Sequence, residues 1–282
     1  MILEIKNVSK YFQGKPAVDR VNITLEGPLI CGLLGRNGAG KTTLMNMISG
    51  KLFPTIGSIF LDGEPLQEND LMLGKVISMG EINYLPEGMK ICEVFRFMEM
   101  LYPGFDRDYA DSLSKKFELD TLKKNNKLST GQSTMMKLIL CLASSASVLL
   151  LDEPVLGLDA YNRDLFYRLL AEDYERNPRL VILSTHLIEE VAGLIERAII
   201  IRSGRIILDE NVDSLISGSY SVSGPSQAVD SYASGKDILG ADTLGGLKTV
   251  YLRGKPAHEA LSAGLEVGPI SLQKLFIELT NR

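Results

Sequence analysis

A glycine-rich loop between two apolar segments restricts the folds that this chain can adopt. Residues 35–42 read Gly-Arg-Asn-Gly-Ala-Gly-Lys-Thr and match the spacing G-x-x-x-x-G-K-[ST]. The loop follows a continuous apolar run, Leu29 to Leu34, and precedes apolar residues at helical spacing, Leu44, Met47 and Ile48. A buried strand, a tight loop and a helix in this order predict a phosphate-binding loop within an α/β fold.

The residue types of this loop suit a nucleotide. Glycines allow consecutive backbone N–H groups to point at one anion, and the dipole of the following helix adds to the attraction. We expect the Lys41 ammonium to reach the β- and γ-phosphates, the Thr42 hydroxyl to bind Mg²⁺, and Thr43 to support the phosphates. The predicted nucleotide-binding residues of the loop are Gly35, Arg36, Asn37, Gly38, Ala39, Gly40, Lys41, Thr42 and Thr43.

Composition excludes several other classes of protein. With 282 residues, 45% hydrophobic and 23% charged, the chain suits one large or two modest globular domains rather than a disordered or collagen-like chain. The net charge of −5 provides no basic field, so we expect no nucleic-acid partner. The three cysteines, Cys31, Cys92 and Cys141, are widely spaced and are expected to be reduced and buried, as in a cytosolic protein.

The sequence also indicates that the chain does not cross a membrane by itself. A spanning helix needs about 18 consecutive apolar residues, whereas the best candidate, Leu138 to Leu151, is shorter and is interrupted by serines. The N-terminus carries a charge at Glu4 and lacks a small-residue cleavage site. We therefore expect a cytoplasmic chain that is peripheral on the inner face of the cell membrane, if it serves a membrane partner.

Hydrophobic patterning predicts the organisation of the chain. Alternating residues at Leu3 to Val8 and Val21 to Leu25 suggest an N-terminal antiparallel β part, and continuous apolar runs suggest buried parallel strands. We expect a nucleotide-binding domain at 1–215 with a helical subdomain at about 89–143, and a small C-terminal α/β module at 216–282. The apolar runs are Leu29 to Leu34, Val148 to Leu151, Leu180 to Leu183 and Ala198 to Ile201; the tail segments are strands at Tyr220 to Ser223, near Ile238 and at Lys248 to Leu252, with helices at Ser226 to Ala233, Pro256 to Ala263 and Ser271 to Asn281.

One of the apolar strands ends in two carboxylates. The run Val148 to Leu151 is followed by Asp152 and Glu153. At the tip of a strand, Asp152 is suited to hold Mg²⁺ through water, and Glu153 is the candidate general base. An acidic turn after a strand is common, so these two carboxylates indicate a catalytic site only in combination with the other motifs of the chain.

The segment Leu-Ser-Thr-Gly-Gln at residues 128–132 resembles the signature sequence of ABC transporter nucleotide-binding subunits. The resemblance covers about residues 1–215 and extends to two more motifs in the family's order. His186, after an apolar strand, matches the switch histidine, and Asp159 matches the D-loop aspartate. The resemblance implies a P-loop NTPase core, ATP and Mg²⁺ as ligands, and a second ATPase subunit in a head-to-tail dimer. Each ATP would lie under Ser129, Gly131 and Gln132 of the opposite subunit. Ser129 is also expected to cap a helix at Ser133 to Ala143.

Two positions depart from the family pattern or leave a choice open. The glutamine that usually ligates Mg²⁺ about 40 residues after the lysine aligns with Glu81, whose carboxylate still binds a metal but donates no hydrogen bond to water. The aromatic residue that stacks on adenine is Phe12 or Tyr11, with Phe12 favoured. His258, in the tail, is expected to lie at the surface.

The resemblance also indicates what the ATPase drives. The permease is expected to be a separate transmembrane subunit that docks near Glu81 and the helical insertion. Residues 85–88, 97–105 and 271–280 are similar to ATPases of bacterial ABC-2-type exporters. Two alternatives remain open, a soluble ABC ATPase of the cluster-assembly type and a regulatory module that binds ATP without productive turnover. Intact Glu153 and His186 argue against the regulatory module.

Overall fold

The computed structural model describes residues 1–79, 86–256 and 264–281. These residues form three β-sheets with helices packed between and around them, which confirms the predicted mixed α/β fold. In chain order the elements are β1 (Ile2–Phe12), β2 (Lys15–Glu26), β3 (Leu29–Leu34), α1 (Lys41–Ile48), β4 (Ile56–Leu61), β5 (Glu64–Pro65), α2 (Asp70–Leu73), β6 (Val76–Met79), α3 (Ile91–Leu101), α4 (Arg107–Lys116), a 3₁₀ turn (Asn125–Lys127), α5 (Thr130–Leu142), β7 (Val148–Asp152), α6 (Ala160–Arg176), β8 (Leu180–Thr185), α7 (Ile188–Val191), β9 (Arg197–Arg202), β10 (Arg205–Asn211), α8 (Val212–Ser217), β11 (Ser219–Pro225), α9 (Ser226–Ala233), β12 (Ile238–Leu244), β13 (Leu247–Arg253), β14 (Glu266–Gly268) and α10 (Leu272–Asn281).

The N-terminal sheet is antiparallel, in the order β2-β1-β4-β5. Its long strands alternate between buried and exposed residues, as their sequence pattern predicts. The buried residues, among them Leu3, Ile5 and Leu61, pack with α1 and with one face of the central sheet. One face of this sheet therefore covers the element that begins at the glycine-rich loop.

The central sheet places the chemistry-bearing residues at one edge. Its order is β10-β9-β3-β8-β7-β6, and every pair except β10–β9 is parallel. In register, Leu34 of β3 pairs with Thr185 of β8, and Asp152 of β7 pairs with Ser184. Because the carboxyl ends of parallel strands meet at one edge, the segments that follow β3, β7 and β8 converge there.

Helices α3, α4 and α5 lie in the segment for which the sequence predicts a helical insertion. Its buried residues, including Phe95, Leu113 and Met136, share one large hydrophobic cluster with the second face of the central sheet. The structure corrects the expected start of α5. The helix begins at Thr130 rather than Ser133, because Ser129 is its N-cap.

The C-terminal segment forms a third sheet, in the order β12-β13-β11-β14, with α9 packed on it. Val222, Val229 and Leu252 belong to a separate small cluster there. The last helix does not pack in this small cluster. Leu272 and Leu275 of α10 are buried in the large hydrophobic cluster of the central sheet. The expected helix at Pro256 to Ala263 and the surface position of His258 lie outside the described residues.

The structure places the three cysteines and shows how long and apolar the helices of the described residues are. Cys31 and Cys141 are buried free thiols, as expected, whereas Cys92 is half-buried, which corrects the prediction for that residue. Among the helices of the described residues, none is long and apolar enough to cross a membrane.

Candidate functional site

The glycine-rich loop connects β3 to α1 and surrounds the side chain of Lys41. Lys41 is 7% exposed, and its Nζ donates a hydrogen bond to the Gly35 carbonyl oxygen at 2.7 Å. The same Nζ lies 3.9 Å from Oε1 of Glu153. Thr42 is exposed and Thr43 is half-buried at the first turn of α1. The loop therefore holds one ammonium group over the edge where the strands end.

Gly40 is required by both its backbone conformation and its surroundings. Its φ of 113° is a region that other residues rarely adopt. A Cβ built on Gly40 would lie 2.5 Å from the carbonyl oxygen of Ala17 in β2. The N-terminal sheet thus fixes the loop from behind, and its exposed face remains open to a ligand.

The carboxylates and the histidine meet opposite the loop. Glu153 adopts a positive φ of 46°, and its N–H donates to the Ser184 carbonyl oxygen at 2.8 Å. His186 Nδ1 lies 2.8 Å from Oε2 of Glu153. In the tautomer that carries its proton on Nδ1, His186 donates this hydrogen bond to the carboxylate oxygen. This pairing orients the His186 ring relative to Glu153.

A cavity of about 360 Å³ lies between these groups and the loop. Its volume falls within the range of small-ligand sites. The sequence-predicted residues that line it are Asn37, Gly38, Ala39, Gly40, Lys41, Thr42, Thr43, Asp152, Glu153 and His186. Leu156 lines it as well and was missed from the sequence, because a leucine after an acidic turn carries no chemical signal.

The donor set at this cavity fits a hard divalent cation. Asp152 is buried, and its Oδ1 has no hydrogen-bond partner among the described residues. An unpaired buried carboxylate oxygen is costly unless a ligand or ion satisfies it. Thr42 lines the same cavity, and hydroxyl and carboxylate oxygens suit Mg²⁺. Glu81, the third predicted metal ligand, lies outside the described residues.

The predicted signature residues form the N-terminus of α5. Ser129 Oγ accepts a hydrogen bond from Gln132 N at 3.2 Å, and Gln132 Oε1 accepts from Ser129 N at 3.3 Å. Lys123 Nζ also donates to Gln132 Oε1 at 2.8 Å. This reciprocal cap confirms the expected capping by Ser129. The side-chain oxygen of Gln132 is therefore engaged within its own chain.

The signature segment touches the turn that precedes α6. A Cβ on Gly131 would lie 2.7 Å from the Gly157 carbonyl oxygen, and Thr134 Oγ1 donates to the Leu156 carbonyl oxygen at 2.9 Å. Asp159 then caps α6 by accepting from Asn162 N at 2.9 Å. The start of the signature helix is therefore packed directly against the turn that precedes α6.

The two candidate adenine-stacking residues lie at the exposed end of β1. Tyr11 and Phe12 are 36% and 48% exposed. Lys10 Nζ stands 5.6 Å from the centroid of the Phe12 ring. Neither aromatic residue lines the cavity of the glycine-rich loop, so the choice between them stays a prediction.

The chain is similar to known proteins in sequence. The family model described as ABC transporter matches residues 18–156, which include the glycine-rich loop, Ser129 and Glu153. The chain is similar to the ABC transporter ATP-binding protein YtrB of Bacillus subtilis, with 30% identity over 196 residues that cover 70% of this chain and 67% of that protein. It is also 34% identical over 211 residues to the Bos taurus retinal-specific phospholipid-transporting ATPase ABCA4, covering 72% of this chain and 9% of that much longer protein.

A solved structure extends the similarity to three dimensions. The dimeric structure of a post-hydrolysis state of an ATP-binding cassette, bound to ADP and Pi, superposes on this chain with a TM-score of 0.66 and 25% identity. The superposition covers 74% of this chain and 98% of that one. The part of this chain beyond the similarity is therefore about a quarter of its length.

Proposed function

Because the chain belongs to the ABC transporter family of ATP-binding proteins, we propose that it is the ATP-hydrolysing subunit of a transporter and drives a separate membrane permease. Lys41, Glu153 and His186 around one cavity are the observation that carries the catalytic part of this proposal. We further propose that residues 1–215 form the ATPase unit and that 216–282 are an accessory module.

The chemistry assigns a role to each of these side chains. Lys41 and the loop N–H groups bind the β- and γ-phosphates and neutralise their charge. Glu153 orients a water for in-line attack on the γ-phosphorus and accepts its proton, while the bond to the β–γ bridging oxygen breaks and ADP leaves. The 2.8 Å contact with His186 Nδ1 supports a positioning role for this histidine beside the γ-phosphate. Asp159 and the signature residues Ser129, Gly131 and Gln132 act on the nucleotide of the opposite subunit.

Thr42, Asp152 and Glu81 are the residues proposed to hold Mg²⁺. The unpaired Oδ1 of Asp152 supports this assignment for the part of the site that the structure describes. When bound, the ion neutralises negative charge on the phosphate oxygens. Phe12 is proposed to stack on the adenine, with Tyr11 as the alternative.

The working unit is proposed to be a dimer that closes around two ATP molecules. The similarity to a dimeric cassette supports this assembly, as does the open face of the signature turn, where Ser129 and Thr130 are exposed. Closure is driven by the greater affinity of ATP for the closed dimer than for the open one. Reopening after phosphate release completes the cycle.

A groove on the helical side of the ATPase is the proposed docking site of the permease. It encloses about 530 Å³, and Val76, Phe97, Leu101 and Leu140 are among its lining residues. Leu101 is 56% exposed, and the adjacent Met100 is also exposed. Apolar grooves of this type accept one face of an amphipathic helix, which a cytoplasmic segment of a permease can supply.

Export is the proposed direction of transport. It is supported by the similarity of residues 85–88, 97–105 and 271–280 to ATPases of ABC-2-type exporters. Expression of Glu153→Gln in the native cell is expected to increase sensitivity to a panel of antimicrobial compounds. Unchanged sensitivity, together with loss of uptake of a nutrient, would instead assign an importer.

The catalytic proposal is tested with Glu153→Gln. This variant should bind ATP normally, lose turnover and accumulate as an ATP-bound dimer in size-exclusion chromatography with light scattering. Wild-type turnover would refute the assignment of Glu153 as the general base. Loss of turnover without accumulation of a dimer would refute the proposal that two subunits enclose two ATP molecules.

The permease proposal is tested by capture of the tagged chain from detergent-solubilised native membranes. A multi-span protein should co-purify with the wild type and be lost with Leu101→Asp. The matched control is Leu122→Asp, because Leu122 is 66% exposed and does not line the groove. Recovery of only soluble partners would favour the cluster-assembly type of ABC ATPase.

A further inference from the structure

The C-terminal helix α10 packs on the short helix that follows His186. Helix α7 has four residues, and within the described chain no side-chain hydrogen bond caps its N-terminus. A single turn of helix is unstable without tertiary packing. Its apolar residues Ile188 and Val191 are buried in the same cluster as Leu272 and Leu275 of α10. Packing on α10 therefore contributes to the position of α7, together with the ion pair between Glu190 of α7 and Arg163 of α6 at 2.8 Å.

The side chain of His186 has little support of its own. It is 53% exposed, and among the described residues its ring hydrogen-bonds to Glu153. Leu187, the next residue, packs against the large cluster. The backbone at Leu187 and α7 thus determines where the imidazole stands.

Helix α10 is in turn held by the C-terminal sheet. Lys274 Nζ lies 2.7 Å from Asp242 Oδ2 of β12 and 4.6 Å from the centroid of the Tyr251 ring of β13. At the far end of the helix, Arg202 Nη1 of β9 donates to the Leu279 carbonyl oxygen at 3.3 Å. A continuous path of contacts therefore runs from this sheet through α10 and α7 to His186.

We propose that α10 is a positioning element for hydrolysis, with Leu275 as its principal positioning residue. By fixing α7, Leu275 holds the His186 imidazole beside Glu153, and the C-terminal sheet thereby sets the rate of the chemical step. This inference rests on the proposed role of His186 in hydrolysis. It assigns to residues 216–282 a function in turnover rather than in ATP binding.

The principal test compares Leu275→Ala with a matched control. Leu275 and Leu61 are both fully buried leucines, but Leu61 lies in the N-terminal sheet, away from α7 and α10. Leu275→Ala should lower kcat about tenfold, since small displacements of a catalytic group have effects of this order or larger. KM for ATP should stay within about twofold of wild type, because the phosphate loop is untouched. Leu61→Ala, which opens a cavity near α1, should act on KM for ATP rather than on kcat. Leu275→Met should restore most of the kcat that Leu275→Ala loses.

A spectroscopic measurement separates positioning from general loss of stability. The sequence has only two histidines, so the imidazole resonances of His186 can be assigned directly with a His258→Gln variant. Their chemical shifts should change in Leu275→Ala and not in Leu61→Ala. Unchanged shifts with unchanged kcat in a folded Leu275→Ala protein would overturn the proposal, as would an equal loss of kcat in Leu61→Ala.

A milder variant keeps the test decisive if Leu275→Ala does not fold. Lys274 is 24% exposed, so Lys274→Ala removes the connection to β12 without opening a cavity, and we expect kcat to fall about twofold to threefold. The variant His186→Ala separates the proposed role of His186 from the proposed role of α10. Wild-type kcat in His186→Ala would refute the proposed function of this residue. If kcat falls in His186→Ala but stays at the wild-type value in Lys274→Ala and Leu275→Ala, the role of α10 is refuted and the role of His186 stands.

Discussion

Replacement of Arg179 by methionine is expected to cost about 3–5 kcal/mol of the free energy of unfolding. Arg179 is almost fully buried and pairs with the buried carboxylate of Asp173 in α6. Its guanidinium also donates to the carbonyl oxygens of Leu142 at 3.1 Å, Ser144 at 2.7 Å and Ala146 at 3.3 Å. The substitution removes every one of these donors and leaves an uncompensated charge. The loss is a large fraction of the about 5–15 kcal/mol by which a typical domain is stable.

The cost should depend on pH with a defined sign. Burial raises the pKa of the Asp173 carboxyl above 3.8, and Arg179 opposes that rise. Without Arg179 the pKa of Asp173 rises further, because the buried charge has lost its partner. When folding raises the pKa of an acidic group, that group destabilises the folded state in its ionised form. The full destabilisation is present above the folded-state pKa, and none remains below the unfolded-state pKa. The difference between variant and wild type should therefore shrink as the pH falls toward 3.8.

Urea unfolding followed by circular dichroism at neutral and at acidic pH provides the assay. The matched control is Arg176→Met, because Arg176 is exposed and its guanidinium stacks on the Tyr109 ring at 4.7 Å, a contact of about 0.5–1 kcal/mol. Asp173→Asn combined with Arg179→Met should be more stable than Arg179→Met alone at neutral pH, since the buried charge is gone. A loss below about 1 kcal/mol, or one that is the same at both pH values, would refute the reasoning.

Three further predictions concern the nucleotide site and the buried thiols. Gly40→Ala should weaken ATP binding about tenfold or more, because the added Cβ would lie 2.5 Å from the Ala17 carbonyl oxygen at a strained φ; a fluorescent ATP analogue bound at wild-type strength would contradict this. Asp152→Asn should remove most of the dependence of ATP binding on Mg²⁺, since a neutral amide is a weaker ligand; affinity that still collapses when EDTA removes the metal would exclude Asp152 as a ligand. Burial raises the pKa of the Cys31 and Cys141 thiols to about 12, so neither should be alkylated in the folded protein at about pH 8. Mass spectrometry checks this, with urea-unfolded protein as the control, and rapid labelling of the folded chain would show that these thiols are accessible.

Much of the fold could be predicted because its signals are local. The continuous apolar run Leu29 to Leu34 coincides with β3, and Ser226 to Ala233 coincides with α9. The strands that lead to Asp152 and His186 were also predicted to within a few residues. Each of these segments carries its own hydrophobic period or bounding turn, which does not depend on the rest of the chain.

The features that the sequence did not predict correctly are those in which a short or mixed segment depends on contacts with distant residues. Strand β6 has four residues and is defined by pairing with β7. The start of α5 was placed three residues late, because the reciprocal cap of Ser129 and Gln132 allows the helix to begin at Thr130. Leu156 was missed at the nucleotide cavity, since a leucine enters such a site only through its position.

The chemistry proposed for this protein can be predicted from short sequence segments. The spacing of the glycine-rich loop, the two carboxylates after an apolar strand and the signature segment are properties of the chain in one dimension. How these parts contact one another depends on the tertiary structure. Parallel pairing of β3, β7 and β8 brings Lys41 within 3.9 Å of Glu153, and burial of α10 joins the C-terminal sheet to the helix behind His186. Such couplings arise between residues that are far apart along the chain, where apolar burial and strand register, rather than local propensity, determine which side chains meet.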